Sequence, residues 1–329
     1  MSGHLLEVRD LKTHFFSDRG AIPAVDGVSF TLDKGQTIGI VGESGCGKTV
    51  MALSVMRLIA PPGKVVAGEI LLDGVDLAQK STAQMCDIRG ADLAMIFQEP
   101  MTSLNPVHLV GRQVMEAIQL HQGLPREQAR AKALEMFELV GIPEPVRRLT
   151  NYPHQLSGGL RQRVMIAMAL SCRPKVLIAD EPTTALDVTV QAQILNLLRD
   201  LQKTNEMAIM LITHDLGVVA EMADQVCVMY TGKVVEYGGV FPVFDNPLHP
   251  YTHGLYHSIP DIADEERRRL YAIKGVVPNL LHMPKGCSFA PRCEKARPVC
   301  LAQQPPLVEA EPGHWVRCWL YTGEVSAGE

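Results

Sequence analysis

The spacing of apolar side chains changes along the chain, and each change predicts a new element. Residues 5–9 and 25–32 alternate apolar and polar side chains, which is typical of strands at an antiparallel edge. Residues 36–41 form a short β-rich run bounded by glycine, and the segment 50–58 beyond the next loop has the spacing of a helix. A Pro-Pro-Gly run that begins at Pro61 is expected to end that helix.

The middle of the chain has helical spacing throughout. Between residues 110 and 172, apolar side chains recur at three- and four-residue steps and no strand is evident. Strand-like runs resume at 176–179 and 208–212, and a helix is predicted between them at 190–202. Strands that alternate with helices predict an α/β fold with a mostly parallel sheet, in which the long helical stretch is an insertion.

The C-terminal quarter differs in composition from the rest. Eleven of the 22 prolines follow residue 240, and long periodic segments disappear there. A chain of 329 residues also exceeds the usual size of one compact core. We therefore predict two domains, residues 1–240 and residues 241–329, with a boundary near 238–245.

Composition and charge narrow the class of protein. The chain is 47% hydrophobic and 20% charged, and its formal net charge of -5 argues against nucleic acid as the main partner. It has no apolar stretch of about 18 residues, the length that a membrane-spanning helix needs. The first residues lack the basic region and apolar core of a secretory signal. These features predict a cytosolic protein, soluble or held peripherally at a membrane.

A glycine-rich loop links the β-rich run at 36–41 to the helix after it. Its spacing is Gly42-x4-Gly47-Lys48-Thr49. Glycines let backbone amides turn toward phosphate oxygens, the lysine supplies a positive charge, and the threonine hydroxyl can bind Mg²⁺. A chance glycine-rich turn is the alternative, but the flanking strand and helix favour a phosphate-binding loop of a P-loop NTPase.

A second motif narrows the kind of nucleotide site. The apolar strand at 176–179 ends in Asp180 and Glu181. One carboxylate there can hold Mg²⁺ and a second can polarise an attacking water, whereas the phosphate loop alone does not separate a GTPase, a kinase and an ATPase.

Further motifs resemble one family. The run LSGGLRQR at 156–163 resembles the signature motif of ABC-type ATPases, the nucleotide-binding subunits of ATP-driven transporters. Other motifs of that family stand in the expected order: Gln98 in IFQEP, Asp180-Glu181-Pro182, Ala185-Leu186-Asp187 and Thr213-His214-Asp215. The resemblance implies a RecA-like core with an antiparallel β edge, a helical subdomain at about 99–172, and a small cysteine-rich C-terminal extension.

The resemblance also implies a role for each matching residue. The implied catalytic residues are Glu181, which orients or activates the lytic water, His214, which contacts the γ-phosphate, and Gln98. The implied Mg²⁺ contacts are Thr49, Gln98 and Asp180. The implied contacts with ATP are Phe15, Gly42, Ser44, Gly45, Cys46, Gly47, Lys48, Thr49, Ser157, Gly158 and Gly159. Phe15 is expected to stack on adenine, but it is equally a candidate core residue, and Phe16 is the other candidate for this role.

In this family the signature segment faces the nucleotide of another subunit, so two chains enclose two ATP molecules. Leu160 departs from the commonest signature, which has glutamine there, and an altered contact near the γ-phosphate is expected without loss of activity. Since the motifs of both half-sites are intact, the chain is expected to contribute fully to both sites.

The segment EPMTSLNP at 99–106, the run His249-Pro250-Tyr251-Thr252 and the cysteine-rich tail resemble the dipeptide/oligopeptide importer branch. This implies a second ATPase subunit, probably a paralogue, two transmembrane permease subunits and an extracytoplasmic substrate-binding protein, with the chain at the cytoplasmic face of the membrane. An importer of nickel or another small solute, or a soluble ABC ATPase of DNA repair or translation, is the alternative.

Four of the eight cysteines fall in a 32-residue span: Cys287, Cys293, Cys300 and Cys318. A cluster of this kind suggests a metal site more than disulfides. The paired knuckles of structural zinc sites are absent, and iron–sulfur clusters tolerate looser spacing. The resemblance implies a [4Fe–4S] cluster, with Zn²⁺ or unligated thiols as the alternatives.

Overall fold

The computed structural model describes residues 3–18, 20–99, 103–183, 186–258 and 273–322. Ala185, in one of the family motifs, lies outside the described residues. The strands in the described part are β1 (Leu6–Ser17), β2 (Gly20–Leu32), β3 (Thr37–Val41), β4 (Gly63–Leu72), β5 (Val75–Asp76), β6 (Leu93–Ile96), β7 (Val176–Asp180), β8 (Ala208–Ile212), β9 (Gln225–Tyr230), β10 (Lys233–Gly239), β11 (Val308–Glu311) and β12 (His314–Val316). The α-helices there are α1 (Lys48–Val55), α2 (Thr82–Ile88), α3 (Val110–Gln122), α4 (Arg126–Leu139), α5 (Pro145–Arg148), α6 (Gly158–Leu170), α7 (Val188–Asn205), α8 (Leu216–Met222), α9 (Val240–Asp245), α10 (Pro250–His257) and α11 (Pro298–Ala302).

Internal contacts divide the chain into two compact units. The first unit comprises Met1–Leu6, Leu32–Thr37 and Leu72–Ile212, and the second comprises Glu7–Thr31, Ile38–Leu71 and Thr213–Glu329. Each unit therefore combines segments that are distant in the sequence. The predicted domain boundary near 238–245 stays a prediction.

The first unit contains a parallel arrangement of three strands. β7 lies between β6 and β8, with Val176 opposite both Leu93 and Ala208. Every residue of these three strands is buried. Continuous burial of this kind is expected where a parallel sheet is covered on both faces.

Helices α3, α4 and α6 pack together in the first unit, and α4 contacts both of the others. Val110, Val114 and Ile118 lie four residues apart on α3 and are fully buried, which places one stripe of the helix in the core. The prediction of helices without a strand between residues 110 and 172 is confirmed for this part of the chain.

In the second unit, β9 lies between β3, to which it is parallel, and β10, to which it is antiparallel. β12 pairs with both β10 and β11 in antiparallel fashion. Through β12, the C-terminal segment thus pairs with β10, which ends at Gly239 within the predicted boundary region. A smaller sheet places β1 between β2 and β4.

The core of the second unit includes side chains from both sides of residue 240. Val228 and Tyr230 on β9 share one apolar cluster with Tyr251 and Phe289. Tyr230, Tyr251 and Phe289 form close ring contacts, with centroid distances of 4.7 to 5.4 Å. The C-terminal segment is therefore anchored by aromatic packing as well as by β12.

The first helix differs from its prediction. It begins at Lys48 and ends at Val55, before the Pro-Pro-Gly run that was expected to end it. The amide of Leu58 bonds to the carbonyl of Leu53, and Arg57 has a φ of 52°, so the chain leaves the helix through a wide turn. The prediction missed β4, β5, β6, β9, β10, β11 and β12, and it shortened β1 and β2. No helix among the described residues has the length and apolarity needed to cross a membrane.

Candidate functional site

The phosphate loop connects β3 to α1, and two of its glycines are required by its geometry. Gly42 has a φ of 150°, and a Cβ there would lie 2.3 Å from the carbonyl oxygen of Met229. Gly47 has a φ of 103°, and a Cβ there would lie 2.3 Å from the carbonyl oxygen of Ala24. Any larger residue at either position would force the loop out of this conformation.

Lys48 folds back over this loop. Its ammonium nitrogen donates to the carbonyl oxygens of Gly42 at 2.6 Å and Glu43 at 3.2 Å, and the residue is buried. No side chain caps the N-terminus of α1, where Gly47 is the first flanking residue. Helix amides without a side-chain cap, next to a buried lysine, suit an anion. Thr49 is half-buried, whereas Ser44 and Gly45 are exposed.

Cys46 occupies a different environment from its loop neighbours. Its side chain is buried, and burial raises the pKa of its thiol. Its amide donates to Glu43 within the loop. A buried thiol with a raised pKa is expected to be inert.

His214 faces the phosphate loop within the second unit. It is exposed and lines a cavity of about 460 Å³ together with Gly42 and Glu43. The amide of the preceding Thr213 donates to the carbonyl of Ile40 on β3, which holds the residue beside the strand that feeds the loop. Asp215 caps α8 by accepting from the amides of Gly217 and Val218. The structure therefore brings His214 and the loop together.

The two candidate aromatic residues lie near the end of β1. Phe15 is half-buried and packs beside Gly63, where a Cβ would lie 2.7 Å from its ring. Phe16 is 47% exposed. Because consecutive side chains of a strand point to opposite faces, only one of the two rings can face a given surface. Phe16 is the ring with more area open to a ligand.

In the first unit the acidic residues lie where parallel strands end. Asp180 is the last residue of β7 and is buried. Gln98 follows β6, and its amide nitrogen donates to the Glu181 carboxylate at 3.1 Å. β6 and β7 are parallel, with Ile96 opposite Ala179, so the residues after both strands meet at one edge. Glu181 has a φ of 48°, a conformation that non-glycine residues rarely adopt.

The signature segment forms the N-terminus of α6. The Ser157 hydroxyl accepts from the amide of Leu160 at 3.3 Å and caps the helix. Ser157 and Gly158 are exposed, and a Cβ on Gly158 would meet nothing within 4 Å. The sequence analysis gave no role to Gln162, which is buried and donates to the carbonyl of Pro182 at 2.7 Å. This bond ties the signature helix to the segment that carries Glu181.

Another contact that the sequence analysis missed holds Glu43 in the phosphate loop. Arg292 binds its carboxylate through two nitrogens, at 2.6 and 3.0 Å. The hydroxyl oxygen of Tyr251 accepts from the Glu43 amide at 2.7 Å. Both partners lie more than 200 positions away, so no local pattern signals them.

The four tail cysteines converge on one small cavity of about 20 Å³. Lys295 and Arg297 line it as well, and they supply positive charge. Among the described residues, no group of three or more His, Cys, Asp and Glu side chains is arranged to hold a single metal ion. The converging residues are Cys287, Cys293, Cys300 and Cys318.

Burial raises the pKa of the Cys287, Cys293 and Cys318 thiols. The nearby backbone amides of Phe289, Lys295 and Leu320 oppose this shift by favouring the thiolates. Burial raises the pKa of Cys318 to about 11, so this thiol is protonated at neutral pH unless a cation replaces the proton. Amide donors of this kind stabilise thiolates that bind metal.

The sequence of this chain is similar to those of known ATP-binding proteins of transporters. The ABC transporter family model matches residues 25–184, and the model for the C-terminal region of oligopeptide/dipeptide transporters matches residues 235–300. A probable peptide ABC transporter ATP-binding protein of Sinorhizobium fredii is 54% identical over 96% of this chain and 94% of its own length. The oligopeptide transport ATP-binding protein AppD of Bacillus subtilis is 53% identical over 97% and 98%. The dipeptide transport ATP-binding protein DppD of Escherichia coli is 49% identical over 95% and 96%.

Solved structures show the same fold. The dimeric ATP-binding cassette MJ0796, in a post-hydrolysis state with ADP and Pi, matches with a TM-score of 0.66 and 26% identity over 71% of this chain and 98% of that one. The cbiO1 protein of Clostridium perfringens matches with a TM-score of 0.61 and 27% identity over 74% and 92%. The fold and motifs are those of an ABC ATPase cassette. The chain belongs to the family of ABC transporter ATP-binding proteins, in the branch that carries the oligopeptide/dipeptide transporter C-terminal region.

Proposed function

We propose that this chain is the ATP-binding and ATP-hydrolysing subunit that powers uptake of dipeptides or oligopeptides through an ABC importer. The observation that carries the proposal is the phosphate loop, in which two obligatory glycines and the buried Lys48 leave the N-terminus of α1 open to an anion. The relatives named for oligopeptide and dipeptide transport support the cargo. Nickel or another small solute is the alternative cargo.

The proposed roles of the site residues divide into binding and chemistry. Lys48 neutralises phosphate charge, and Thr49 with Asp180 holds Mg²⁺, which supplies charge neutralisation when bound. Glu181 accepts a proton from the attacking water or orients it, and Gln98 fixes the Glu181 carboxylate by the bond at 3.1 Å. His214 donates to the γ-phosphate as charge develops there. The remaining nucleotide contacts are Gly42, Ser44, Gly45, Cys46 and Gly47, with Phe15 or Phe16 against adenine.

The signature residues are proposed to act on the nucleotide of a second ATPase subunit. Ser157 and Gly158 are exposed at the N-terminus of α6, where helix amides can point at an anion on another chain. Gly159 is proposed to belong to the same anion-binding segment. Closure of the two subunits then excludes water and strengthens each interaction with the γ-phosphate. The second subunit is proposed to be a paralogue.

The proposal includes an assembly at the membrane. Two permease subunits are proposed to receive the motion of the cassette, and an extracytoplasmic binding protein is proposed to deliver the peptide. The chain itself is proposed to lie at the cytoplasmic face of the membrane as a peripheral subunit. Copurification with two membrane proteins supports this assembly, whereas a chain that purifies with nucleic-acid or ribosomal partners favours the soluble class of ABC ATPases.

A transport assay tests the function and the cargo together. Reconstituted vesicles containing the complete importer are supplied with dipeptides, tripeptides, longer peptides and nickel in separate experiments. We expect ATP-dependent accumulation of peptides and none of nickel. Accumulation of nickel alone would overturn the cargo, and peptide uptake that continues with Lys48→Ala would overturn the role of this chain.

We further propose that the four tail cysteines hold a [4Fe–4S] cluster, with Zn²⁺ as the alternative. Four converging thiols and two lining cations suit an anionic iron–sulfur centre. A bound cluster would cross-link the C-terminal segment, because it would hold the four cysteines and the loops between them together.

Metal analysis separates the alternatives for the tail. Anaerobically purified protein is expected to contain iron and sulfide and to show a visible absorbance band. Cys300→Ser should lose both, whereas Cys86→Ser, which changes an exposed cysteine outside the tail, should keep them. Stoichiometric zinc without sulfide, or metal-free protein, would contradict the cluster.

A further inference from the structure

The loop between Cys287 and Cys293 places one side chain against the phosphate loop and a second in the aromatic cluster. Phe289 packs on the rings of Tyr230 and Tyr251, and Arg292 reaches the carboxylate of Glu43. The guanidinium and carboxylate form a two-pronged ion pair, with nitrogen–oxygen distances of 2.6 and 3.0 Å. The Arg292 side chain is only 4% exposed, so this pair is far better shielded than a surface salt bridge.

Arg292 is itself held in place on several sides. Its Nε donates to the carbonyl oxygen of Lys274 at 3.0 Å, and one terminal nitrogen lies 3.4 Å from the Tyr230 hydroxyl. The guanidinium carbon lies 5.9 Å from the ring centroids of both Tyr230 and Phe289. A planar guanidinium fixed by aromatic faces and a carbonyl presents its remaining nitrogens in one direction. That direction is toward Glu43.

Glu43 is thus restrained at both its side chain and its backbone. Arg292 binds the carboxylate, and the hydroxyl oxygen of Tyr251 accepts from the Glu43 amide at 2.7 Å. The Glu43 carbonyl oxygen in turn accepts from Lys48 at 3.2 Å. The residue therefore lies between the C-terminal segment and the lysine of the loop.

A carboxylate in this position has an electrostatic consequence. The loop is suited to an anion, and a negative side chain within it repels that anion unless a cation neutralises it. The Glu43 side chain is 28% exposed, so solvent screens it only in part. Arg292 supplies the neutralising charge and fixes the loop at the same time.

We propose that Arg292 is a positioning residue of the nucleotide site, which holds Glu43 and so keeps the phosphate loop in its binding conformation and free of uncompensated negative charge. The proposal rests on the proposed role of the phosphate loop in binding ATP. It assigns the cysteine-rich extension a part in nucleotide affinity, since Arg292 directly precedes Cys293. Arg292 acts through Glu43 and does not itself bind the nucleotide.

Equilibrium binding of ATP and ADP to the full chain tests this assignment. The variants are Arg292→Gln, Arg292→Lys, Glu43→Gln and the double variant Arg292→Gln/Glu43→Gln. Arg292→Gln is expected to weaken ATP binding about tenfold, and ADP binding by less, because the repulsion grows with phosphate charge. Removal of the repelling carboxylate should make the double variant bind ATP at least about threefold more tightly than Arg292→Gln. The ATP affinity of Arg292→Lys should lie between those of the parent and Arg292→Gln, since lysine keeps the positive charge but cannot contact the carboxylate through two nitrogens.

Two controls make the result decisive. Lys274→Gln removes a surface ion pair with Glu294 in the same segment and should bind ATP like the parent. Lys48→Ala tests the phosphate loop itself: if it binds ATP like the parent, the proposed nucleotide site fails. If Lys48→Ala loses binding but Arg292→Gln matches Lys274→Gln, only the positioning role fails. Equal losses of affinity for ATP and ADP in Arg292→Gln, or no recovery in the double variant, also overturn the positioning role. A folding defect alone would give that pattern.

Discussion

At the scale of single residues, Glu181 shows local strain at a proposed catalytic position. Its φ of 48° is unusual for a side chain with a Cβ, and its amide donates to the carbonyl of Ile212 at 2.8 Å. A conformation of this kind typically costs about 1–3 kcal/mol and persists only where neighbouring contacts enforce it. Here the strand pairing of β7 with β8 and the bond from Gln98 provide that enforcement. The carboxylate is thereby directed by the ends of two strands.

A second residue, His249, predicts a pH dependence of stability. Its buried ring accepts from the amide of Tyr251 at 3.0 Å, which requires a neutral nitrogen. Burial lowers the pKa of His249 from 6.5 to about 4, although the charge of Glu236 opposes the shift. The unfolded chain therefore takes up a proton between these values while the folded chain does not. The free energy of unfolding should fall as the pH drops below 6.5, by about 1.4 kcal/mol at pH 5.5 from this group.

Urea titrations of the parent and of His249→Asn at pH 7.5 and 5.5 measure that contribution. Asparagine can still cap α10 by accepting the Tyr251 amide, but it does not titrate. The loss of stability between the two pH values should be smaller in the variant. An identical loss in both proteins would show that His249 does not control it.

The sequence predicts those candidate site residues whose partners are close in the chain or that lie at the ends of recognisable strands. Lys48 and the glycines of its loop follow from spacing alone, and Asp180 follows from its place after a continuous apolar strand. The pair of Arg292 with Glu43 spans 249 positions and depends on how the C-terminal segment packs, so spacing carries no signal for it. Gln162 was assigned no role because the functional interpretation of the signature motif concerned its serine and glycines.

At the scale of elements, α6 shows that a helix N-terminus can be kept open for a ligand. Ser157 caps the helix, yet Gly158 beside it is exposed and has open space where a side chain would stand. Neither this glycine nor Gly159 has the positive φ that would require glycine. The small residues are therefore not needed by the fold of this chain, which supports a role toward something outside it.

We therefore expect Gly158→Ala to separate folding from function. Alanine favours helix over glycine, so the free energy of unfolding should stay the same or rise by up to about 1 kcal/mol. ATP hydrolysis by the assembled pair of subunits should nevertheless fall at least about tenfold, because a methyl group obstructs the approach of the γ-phosphate. Urea unfolding and steady-state hydrolysis measure the two effects. Full hydrolysis by a stable Gly158→Ala protein would contradict the role of the signature segment.

The elements themselves were predictable to different degrees. β8 matches its predicted range, which covers all but the first residue, Met207, of an apolar run that ends before Thr213. β6 was missed, since four apolar residues carry no alternation and do not separate a buried strand from a helix. The end of α1 was placed too late because the proline run masked a turn that begins at Met56.

At the scale of the whole molecule, the cysteine-rich extension is continuous with the second unit. β12 pairs with β10, and Phe289 joins the apolar cluster of β9. Pairing of segments that lie about 80 positions apart is a tertiary property, which a change in proline content does not disclose. Proline content therefore indicated where the composition of the chain changes, but not what the C-terminal segment packs against.

A site shared by two subunits predicts how hydrolysis depends on concentration. An isolated chain should bind ATP but hydrolyse it slowly, since it lacks the signature residues of a partner. The rate per chain should rise with protein concentration over roughly two decades, or on addition of the partner cassette, because mass action forms the pair. Steady-state hydrolysis over a dilution series measures this. A high rate per chain that is constant down to the lowest concentration would indicate a site complete within one chain.

We propose that this cassette hydrolyses ATP with Glu181 as the residue that activates or orients water. The most direct measurement is ATP turnover by the assembled complex carrying Glu181→Gln, with ATP binding measured on the same sample. Glutamine keeps the size of the side chain but cannot accept the proton, so turnover should fall at least about 100-fold while ATP still binds. Turnover at the rate of the parent protein would contradict the account.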